Sequence, residues 1–412
     1  VENKRTPEIR FAGFTDTWEH RRLGEIAADT YGGGTPATSN EEYWNGNIPW
    51  IQSSDLTENH LFGVAPKKHI SESGLRKSAT KLIPQNSIAI VTRVGVGKLA
   101  IMPTQYTTSQ DFLSLSNLKA DVWYSVYAIY KKLRGELNAV QGTSIKGITK
   151  EELLSKSIFV PQIEEQAKIG KLFKQLDDTI DLHQHELTTL KQTKQGFLQE
   201  MFPAEGASVP KIRFPGFTGD WEERKLGEVI DNQYNGQTPS RENTSFWEGD
   251  INWLSSGELN RGVVAKTIEK ITEDGRKSAN LKIVPKGTFV MAITGLEAAG
   301  TRGNCAKLGI DTTLNQSCMA LYPNEKLLNS SFLFQWYRKV GQEYGLQYTQ
   351  GTKQQSYNAE LIKKLPIILP SVSEQILIAD FFDSLDNLIT LHQRELDALK
   401  ETKKAFLQKM FV

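Results

Sequence analysis

Eight basic residues lie near glycines in this sequence: Arg76, Lys77, Arg93 and Lys98 in its first half, Arg276, Lys277, Arg302 and Lys307 in its second. An arginine fork can grip a guanine edge through two hydrogen bonds, whereas a lysine ammonium mostly holds phosphate. Glycine lets backbone approach a ligand closely, and the loops Tyr31-Gly-Gly-Gly-Thr-Pro36 and Tyr234-Asn-Gly-Gln-Thr-Pro239 have that character. Arg93 and Arg302 each follow a strand-like run and sit beside glycines, so they are better candidates than Arg134 or Arg338, which fall on predicted helices. Thr35 and Thr238 in the loops, with Ser53, Ser54, Ser255 and Ser256, complete the candidate DNA-binding set. The chemistry of such a set is binding.

Residues for turnover do not assemble. Around Gly95-Val-Gly-Lys98 the first glycine and the terminal hydroxyl of a phosphate-binding loop are missing. There is no Asn-Pro-Pro-Tyr of the amino-methyltransferase type and no His-Glu-x-x-His. The two cysteines, Cys305 and Cys318, form no Cys-x-x-Cys pair. This argues against a zinc or disulfide framework and for a reducing compartment. Glu25 and Glu228 recur next to Leu-Gly, where an acid at a helix start is structural. No catalytic residue, metal or cofactor is expected in this chain.

The 412 residues carry a net charge of only +1. Segments 161–202 and 370–412 each hold five Lys or Arg and seven Asp or Glu; together they contribute −4, leaving about +5 elsewhere. An excess that small supports weak, salt-sensitive phosphate binding, so a DNA reader of this composition needs more basic partners. No run reaches the ~18 apolar residues of a membrane span. The start, VENKRTPEIRF, lacks the apolar core of a secretory signal, so a cytoplasmic location is expected.

These residues are set in a plan that occurs twice. PEIRFAGFTDTWEHRRLGEI at 7–26 returns as PKIRFPGFTGDWEERKLGEV at 210–229, and TPATSNEEYWNGNIPWIQSSDL at 35–56 as TPSRENTSFWEGDINWLSSGEL at 238–259. RKSA recurs at 76–79 and 276–279, QGT at 141–143 and 350–352. Segments 161–202 and 370–411 agree at about 22 of 42 positions, whereas 93–140 and 294–349 barely align. Constant parts point to one kind of partner met twice, variable parts to two different targets. The hinge between the copies is PAEGASVP at 203–210.

Each constant segment reads as one long helix. Ile169, Phe173, Leu176, Ile180, His183, Leu187, Leu190, Lys194, Phe197 and Met201 alternate steps of four and three, as do Ile378, Phe382, Leu385, Ile389, His392, Leu396, Leu399, Lys403, Phe406 and Met410. That spacing is a coiled-coil seam, and each helix should span about 38 residues or roughly 57 Å. With a globular block between them, the two helices can pack antiparallel. The polar seam residues fix register. An off-seam apolar set, Leu172, Leu182 and Leu198 with Phe381, Leu391 and Leu407, can pack on a neighbouring domain or receive another protein. Residues 1–160 and 210–369 read as mixed α and β, with strands at 87–92 and 288–294 and helices at 122–134 and 330–343.

The repeated openings P-x-[IL]-R-F-x-G-F-x-x-x-W-E-x-x-[KR]-L-G-E, the G-G-T-P and Y-W-x-G-x-I-P-W of the first half, the P-x-x-x-E-Q that starts each helix and the F-L-Q-x-M-F that ends it resemble the specificity subunits of Type I restriction-modification enzymes. The resemblance runs from about Pro7 to Phe411. It implies an α+β fold: two target recognition domains, 1–160 and 206–369, joined by two long antiparallel coiled-coil helices, 161–205 and 370–412, with a pseudo-twofold repeat. It implies double-stranded DNA as ligand, read as a bipartite asymmetric site. It implies two adenine-N6 methyltransferase subunits as partners, with Phe197, Leu198, Met201, Phe202, Phe406, Leu407, Met410 and Phe411 as docking candidates. Two restriction-translocase subunits follow, and S-adenosylmethionine, ATP and magnesium belong to the partners. The second half departs from the pattern at Asn235–Pro239 and Phe246–Trp253, which separates its base contacts from those of the first. The weak net charge leaves one alternative, a coiled-coil adaptor whose blocks bind non-DNA ligands.

Overall fold

A computed structural model describes residues 6–139, 147–351 and 355–412. The first QGT, at 141–143, and the threonine of the second lie outside the described residues. Two helices of 38 residues, α5 (Ile163–Glu200) and α10 (Val372–Lys409), occupy the constant segments. The chain forms two compact units, 1–184 with 395–412 and 185–394, so each takes part of both long helices.

In the first unit, strands β2 (Ala27–Gly32), β5 (Ser87–Val91), β6 (Leu99–Met102) and β8 (Phe112–Leu118) form an antiparallel sheet in the order β2-β8-β5-β6. A smaller sheet, β4-β3-β7, joins β3 (Ile48–Ile51) to β4 (Lys68–Ile70) antiparallel and to β7 (Thr107–Thr108) parallel. A third, two-stranded sheet pairs β1 (Glu19–Arg22) with β9 (Ser157–Val160). All five residues of β5 are buried, which is why its sequence, Ser-Ile-Ala-Ile-Val, lacks alternation. Helix α3 (Val122–Ala139) covers the expected 122–134 and runs further. The short helices of this unit are α1 (Leu23–Ile26), α2 (Glu72–Arg76) and α4 (Lys150–Ser155).

The second unit repeats the plan with one more strand. Its main sheet is β11-β18-β15-β16-β13, built from Ile230–Asn235, Cys318–Pro323, Phe289–Ala292, Cys305–Leu308 and Val263–Val264. The small sheet is β14-β12-β17 (Glu269–Ile271, Trp247–Leu254, Thr313–Leu314), and β10 (Glu222–Lys225) pairs with β19 (Pro366–Leu369). Its helices α6 (Leu226–Val229), α7 (Glu273–Ser278), α8 (Ser330–Gln347) and α9 (Ala359–Lys364) correspond to α1 to α4.

Every seam residue read from the sequence is buried or half-buried. In the first unit the start of α5 meets the end of α10. The Phe173 ring lies 5.1 Å from that of Tyr127 and 5.4 Å from that of Phe411. In the second the end of α5 meets the start of α10, with Phe197 against Phe381 at 5.1 Å. Within each unit the two helices are therefore antiparallel. The polar seam residues find partners inside their own units: Lys194 on Asp386, Lys403 on Asp177, His183 facing Glu395 at 3.8 Å and His392 facing Glu186 at 3.6 Å.

The repeated openings explain themselves here. Ile9 N–H donates to Lys409 O at the end of α10, while Arg10 reaches Glu165 in the first turn of α5. Ile212 N–H donates to Glu200 O at the end of α5, and Arg213 reaches Glu374 at the start of α10. The neighbouring glutamines are structural too. Gln166 accepts from Asp121 N–H and donates to Pro161 O; Gln375 accepts from Asn329 N–H and donates to Pro370 O. Glu25 and Glu228 accept the N–H of Arg22 and Lys225, the residues that open their short helices, so both are caps.

Candidate nucleic-acid interface

In each unit several turns converge at one end of the sheets. In the first, Gly34 N–H donates to Thr108 O, Ser109 N–H to Ile51 O, Thr92 N–H to Asp111 O, and Ile148 N–H to Thr92 O. The ends of β2, β3 and β5 are thus tied to the turn that opens β8. In the second, Gln237 N–H donates to Leu314 O, Asn315 N–H to Leu254 O, Ile293 N–H to Ser317 O, and Tyr357 N–H to Ile293 O. The same four ties hold the same four places.

Glycine is required where the chains cross. A Cβ on Gly33 would lie 1.9 Å from Ser109 O, and one on Gly236 1.9 Å from Leu314 O. Two tryptophans brace the loop that follows. Trp50 Nε1 donates to Gly34 O at 2.9 Å and Trp44 Nε1 to Ala37 O at 3.2 Å. Trp253 donates to Gln237 O at 3.1 Å and Trp247 to Ser240 O at 3.1 Å. Both pairs are edge to face, with centroids 4.9 and 5.2 Å apart. The departures at Asn235–Pro239 and Phe246–Trp253 therefore leave the scaffold intact.

The side chains set on this shared frame differ. Lys68 sits over Trp44 and Trp50 at 5.4 and 5.7 Å. In the second unit Arg241 stacks over Trp247 at 3.7 Å and pairs with Glu269, which holds its guanidinium above its ordinary pKa. The turn after β5 carries Arg93, Val94 and Gly95; the turn after β15 carries Thr294, Gly295 and Leu296. A constant frame bearing unlike side chains is what two readers of unlike sequences require.

A family model described as the type I restriction modification DNA specificity domain matches residues 15–192 and again 218–401. The chain belongs to that family. It is the DNA-specificity subunit of a Type I restriction-modification system, itself non-catalytic, and the adaptor alternative falls away. It is similar to two specificity subunits of Methanocaldococcus jannaschii. Identity to that of the type I restriction enzyme MjaIX is 26% over 300 residues, covering 70% of this chain and 68% of the relative. Identity to the MjaVIII subunit is 23% over 414 residues, covering 95% and 91%. It is also 35% identical over 167 residues to the EcoR124I/EcoR124II specificity subunit of Escherichia coli, covering 39% and 41%. The crystal structure of an S subunit from M. genitalium aligns over 99% of both chains with a TM-score of 0.65 at 15% identity. A chain from a structural study of type I complex assembly and conformational transition aligns over 95% and 97% with a TM-score of 0.52 at 18% identity. These two likenesses establish the fold.

The candidate residues of the specificity subunit fall into three groups. Thr35, Ser53, Ser54, Thr238, Ser255 and Ser256 lie on or directly beside the converging turns, and the side chains of Arg76, Lys77 and Arg93 are exposed without hydrogen bond or ion pair among the described residues. Four basic residues are engaged by their own fold. Lys98 donates to Ser53 O and Leu56 O, Arg302 to Leu296 O and Glu297 O, and Arg276 to Glu273 and Leu281 O, with Lys277 also near Glu273. Lys307 stands at the far end of the β15–β16 hairpin from the turn bearing Arg302, bound to Ser331 and to Asp383 of α10. Its position corrects its placement beside Arg302: strand geometry carries it away from the turns.

The docking candidates need a similar correction. Leu198, Met201, Phe202, Met410 and Phe411 are buried in the cores of their own units, where Phe202 meets Trp221 and Phe332, and Phe411 stacks on Tyr124. Phe197, Phe406 and Leu407 are half-buried. Heptad spacing identifies apolar positions but not what covers them. Of the off-seam set, Leu182 and Leu391 are the exposed members, at 58% and 52%. Cys305 and Cys318 are fully buried, and burial pushes the Cys305 thiol up to about 12, so neither is a reactive thiolate. Gln110 and Gln316, Lys68 and Arg241 escaped sequence reasoning. The only signal was the recurrence of a glutamine after Thr-Thr-Ser and Thr-Leu-Asn.

Proposed function

We propose that this subunit reads a bipartite, asymmetric DNA site, one word per unit, through the turns gathered at the ends of β2, β3, β5 and β8 and at their counterparts. The observation that carries the reading is the identical backbone frame bearing different side chains in the two units. Arg76, Lys77 and Arg93 serve the first word; in the second, Lys277, whose exposed ammonium stands 3.7 Å from Glu273 on its own helix, exchanges that loose pairing for phosphate, with Thr35, Thr238 and the paired serines at the same surfaces. Two adenine-N6 methyltransferase subunits dock on the long helices, and the exposed Leu182 and Leu391, equivalent in the repeat, are the contacts best placed to receive them. Two restriction-translocase subunits complete the enzyme. S-adenosylmethionine, ATP and magnesium are used by those partners, in the cytoplasm. The near-neutral charge of this chain fits a reader that relies on its partners for phosphate neutralisation.

Exchange of residues 1–160 for the matching block of a relative tests this reading. Methylation-sensitive sequencing of the host genome should show one half of the methylated motif changed and the other kept. Change in both halves, or in neither, would refute independent readers. Mass measurement of the co-purified complex should give two methyltransferase subunits per chain.

A further inference from the structure

We infer that Gln110 and Gln316 make one and the same contact in both units, to the DNA sugar-phosphate backbone. This rests on the DNA-reading role proposed above. Each glutamine is exposed on the turn that opens an inner strand of its sheet, β8 or β18, the second in its order. Thr35 Oγ1 donates to Gln110 Oε1 at 2.6 Å, and Thr238 Oγ1 donates to Gln316 Oε1. The threonine–glutamine pair thus crosses from the Gly-rich loop to the neighbouring turn in both units.

The root of each side chain is rigid. Ser109 and Asn315, immediately before the glutamines, are buried, and their N–H groups bind Ile51 O and Leu254 O. The turns have the same form from different residues: Asp111 N–H donates to Ser109 Oγ at 3.4 Å, and Ser317 N–H to Asn315 Oδ1 at 3.1 Å. The flanking residues differ between the units, Ser-Gln-Asp against Asn-Gln-Ser, and only the glutamine is the same. A side chain that is identical in two readers of unlike words carries no information that distinguishes those words. Phosphate is the DNA group that is the same everywhere, and contacts to it set register and orientation. The amide suits it: the threonine hydroxyl occupies the carbonyl oxygen, leaving the NH2 as the outward group, and phosphate oxygens are acceptors.

The complex of this subunit with its methyltransferase partners is titrated against a duplex bearing its methylation motif and a scrambled duplex, with wild type, Gln110→Ala, Gln110→Glu and the Gln316 equivalents. Gln110→Ala should weaken binding about three- to tenfold on both duplexes alike. Gln110→Glu keeps an acceptor for Thr35 but puts a negative charge where the NH2 stood, so its loss should exceed that of alanine on both duplexes. The methylated motif should be unchanged, and melting temperatures should match wild type. Wild-type-like binding by Gln110→Glu would show that the side chain touches no DNA. Loss confined to the motif duplex, or a changed base in the methylated motif, would make the glutamine a base reader. A fall in melting temperature parallel to the loss of binding would make it a loop tether. Each of these three overturns the inference while leaving the DNA-reading role standing; failure of the wild-type complex to prefer its motif would remove both.

Discussion

Arg10 holds Glu165 through two hydrogen bonds, 2.7 and 2.8 Å long, and the carboxylate side chain is wholly buried. Arg213 and Glu374 repeat the arrangement at 2.6 and 2.8 Å. The hydrogen bond to Glu165 keeps the Arg10 guanidinium above its ordinary pKa. A bidentate pair at the start of a long helix joins the head of each copy to its tail, and it accounts for an Arg-Phe near one end of the copy and a Glu-Gln about 155 residues later.

Breaking one member of such a pair leaves a poorly solvated charge. Glu165→Gln is expected to destabilise the first unit by about 3 kcal/mol, or roughly 6–12 °C in melting temperature for a unit of this size. Replacing both partners by methionine should cost much less, because no charge is then stranded. Thermal melts of Arg10→Met, Glu165→Met and the double variant form the cycle that checks this; additive losses would show that the pair does not act as a unit.

Lys194 gives a pH-dependent case. Burial, then the nearby Arg338 charge, pushes its ammonium down to about 8 from an ordinary 10.5, against the pull of Asp386. The folded state therefore binds fewer protons at this site than the unfolded state between those values. The site's contribution is unfavourable below about pH 8 and improves as pH rises toward 10.5. Asp386 keeps Arg338 at 2.9 Å whatever stands at 194. Lys194→Met should accordingly stabilise the second unit by about 1–3 kcal/mol at pH 7, with the gain shrinking toward pH 10. Denaturant melts of both proteins at pH 7, 8.5 and 10 measure it, and a gain that grows with pH would contradict the sign.

Two glycines should respond oppositely to alanine. Gly33 has backbone and side-chain oxygens 1.9 and 2.1 Å from where a Cβ would stand, so Gly33→Ala must displace the turn from Ser109. It should reduce binding of the motif duplex at least tenfold. Gly196, inside α5, has nothing within 4 Å of that position, and Gly196→Ala should stabilise the helix by up to about 1 kcal/mol. Duplex titration and thermal melts of the two variants test both directions.

How much was legible in the sequence depended on the range of the interaction. The seams of α5 and α10 follow from spacing alone, because a 3.5-residue repeat fixes which side chains face a partner. The runs at 87–92 and 288–294 hold the shorter strands Ser87–Val91 and Phe289–Ala292, and the stretches at 122–134 and 330–343 lie in helices, as local composition indicated. Lys307 was misplaced because its role depends on Asp383, 76 residues away. Met410 and Phe411 are apolar helix-end residues like those of many docking faces, and only the fold shows Tyr124 and Phe173 already against Phe411. Gln110 was passed over because an isolated exposed glutamine carries no signature; it acquires one only when Thr35, 75 residues earlier, meets it.

The same distinction separates two arginines that look equivalent in the sequence. Arg93 follows β5, is exposed, and its side chain makes no hydrogen bond or ion pair among the described residues. Arg302 closes its own loop: Nε donates to Leu296 O and Nη2 to Glu297 O, both at 2.9 Å, and the side chain covers Gly345, where a Cβ would come within 2.5 Å of it. Arg302→Ala should therefore lower the melting temperature by a few degrees, through the lost hydrogen bond to the buried Leu296 backbone and the second, more exposed one to Glu297. Arg93→Ala should leave melting unchanged and weaken binding of the first word. If Arg93 reads a base, the loss should be about 1–3 kcal/mol on the motif duplex and small on scrambled DNA. If it holds phosphate, the loss should be equal on both, and the slope of log affinity against log salt should fall by about one. Titrations at several salt concentrations, run beside thermal melts of both variants, separate these outcomes. Unchanged binding by Arg93→Ala on both duplexes would remove that turn from the interface and leave the glycine loop and the neighbouring threonine–glutamine turn as its centre.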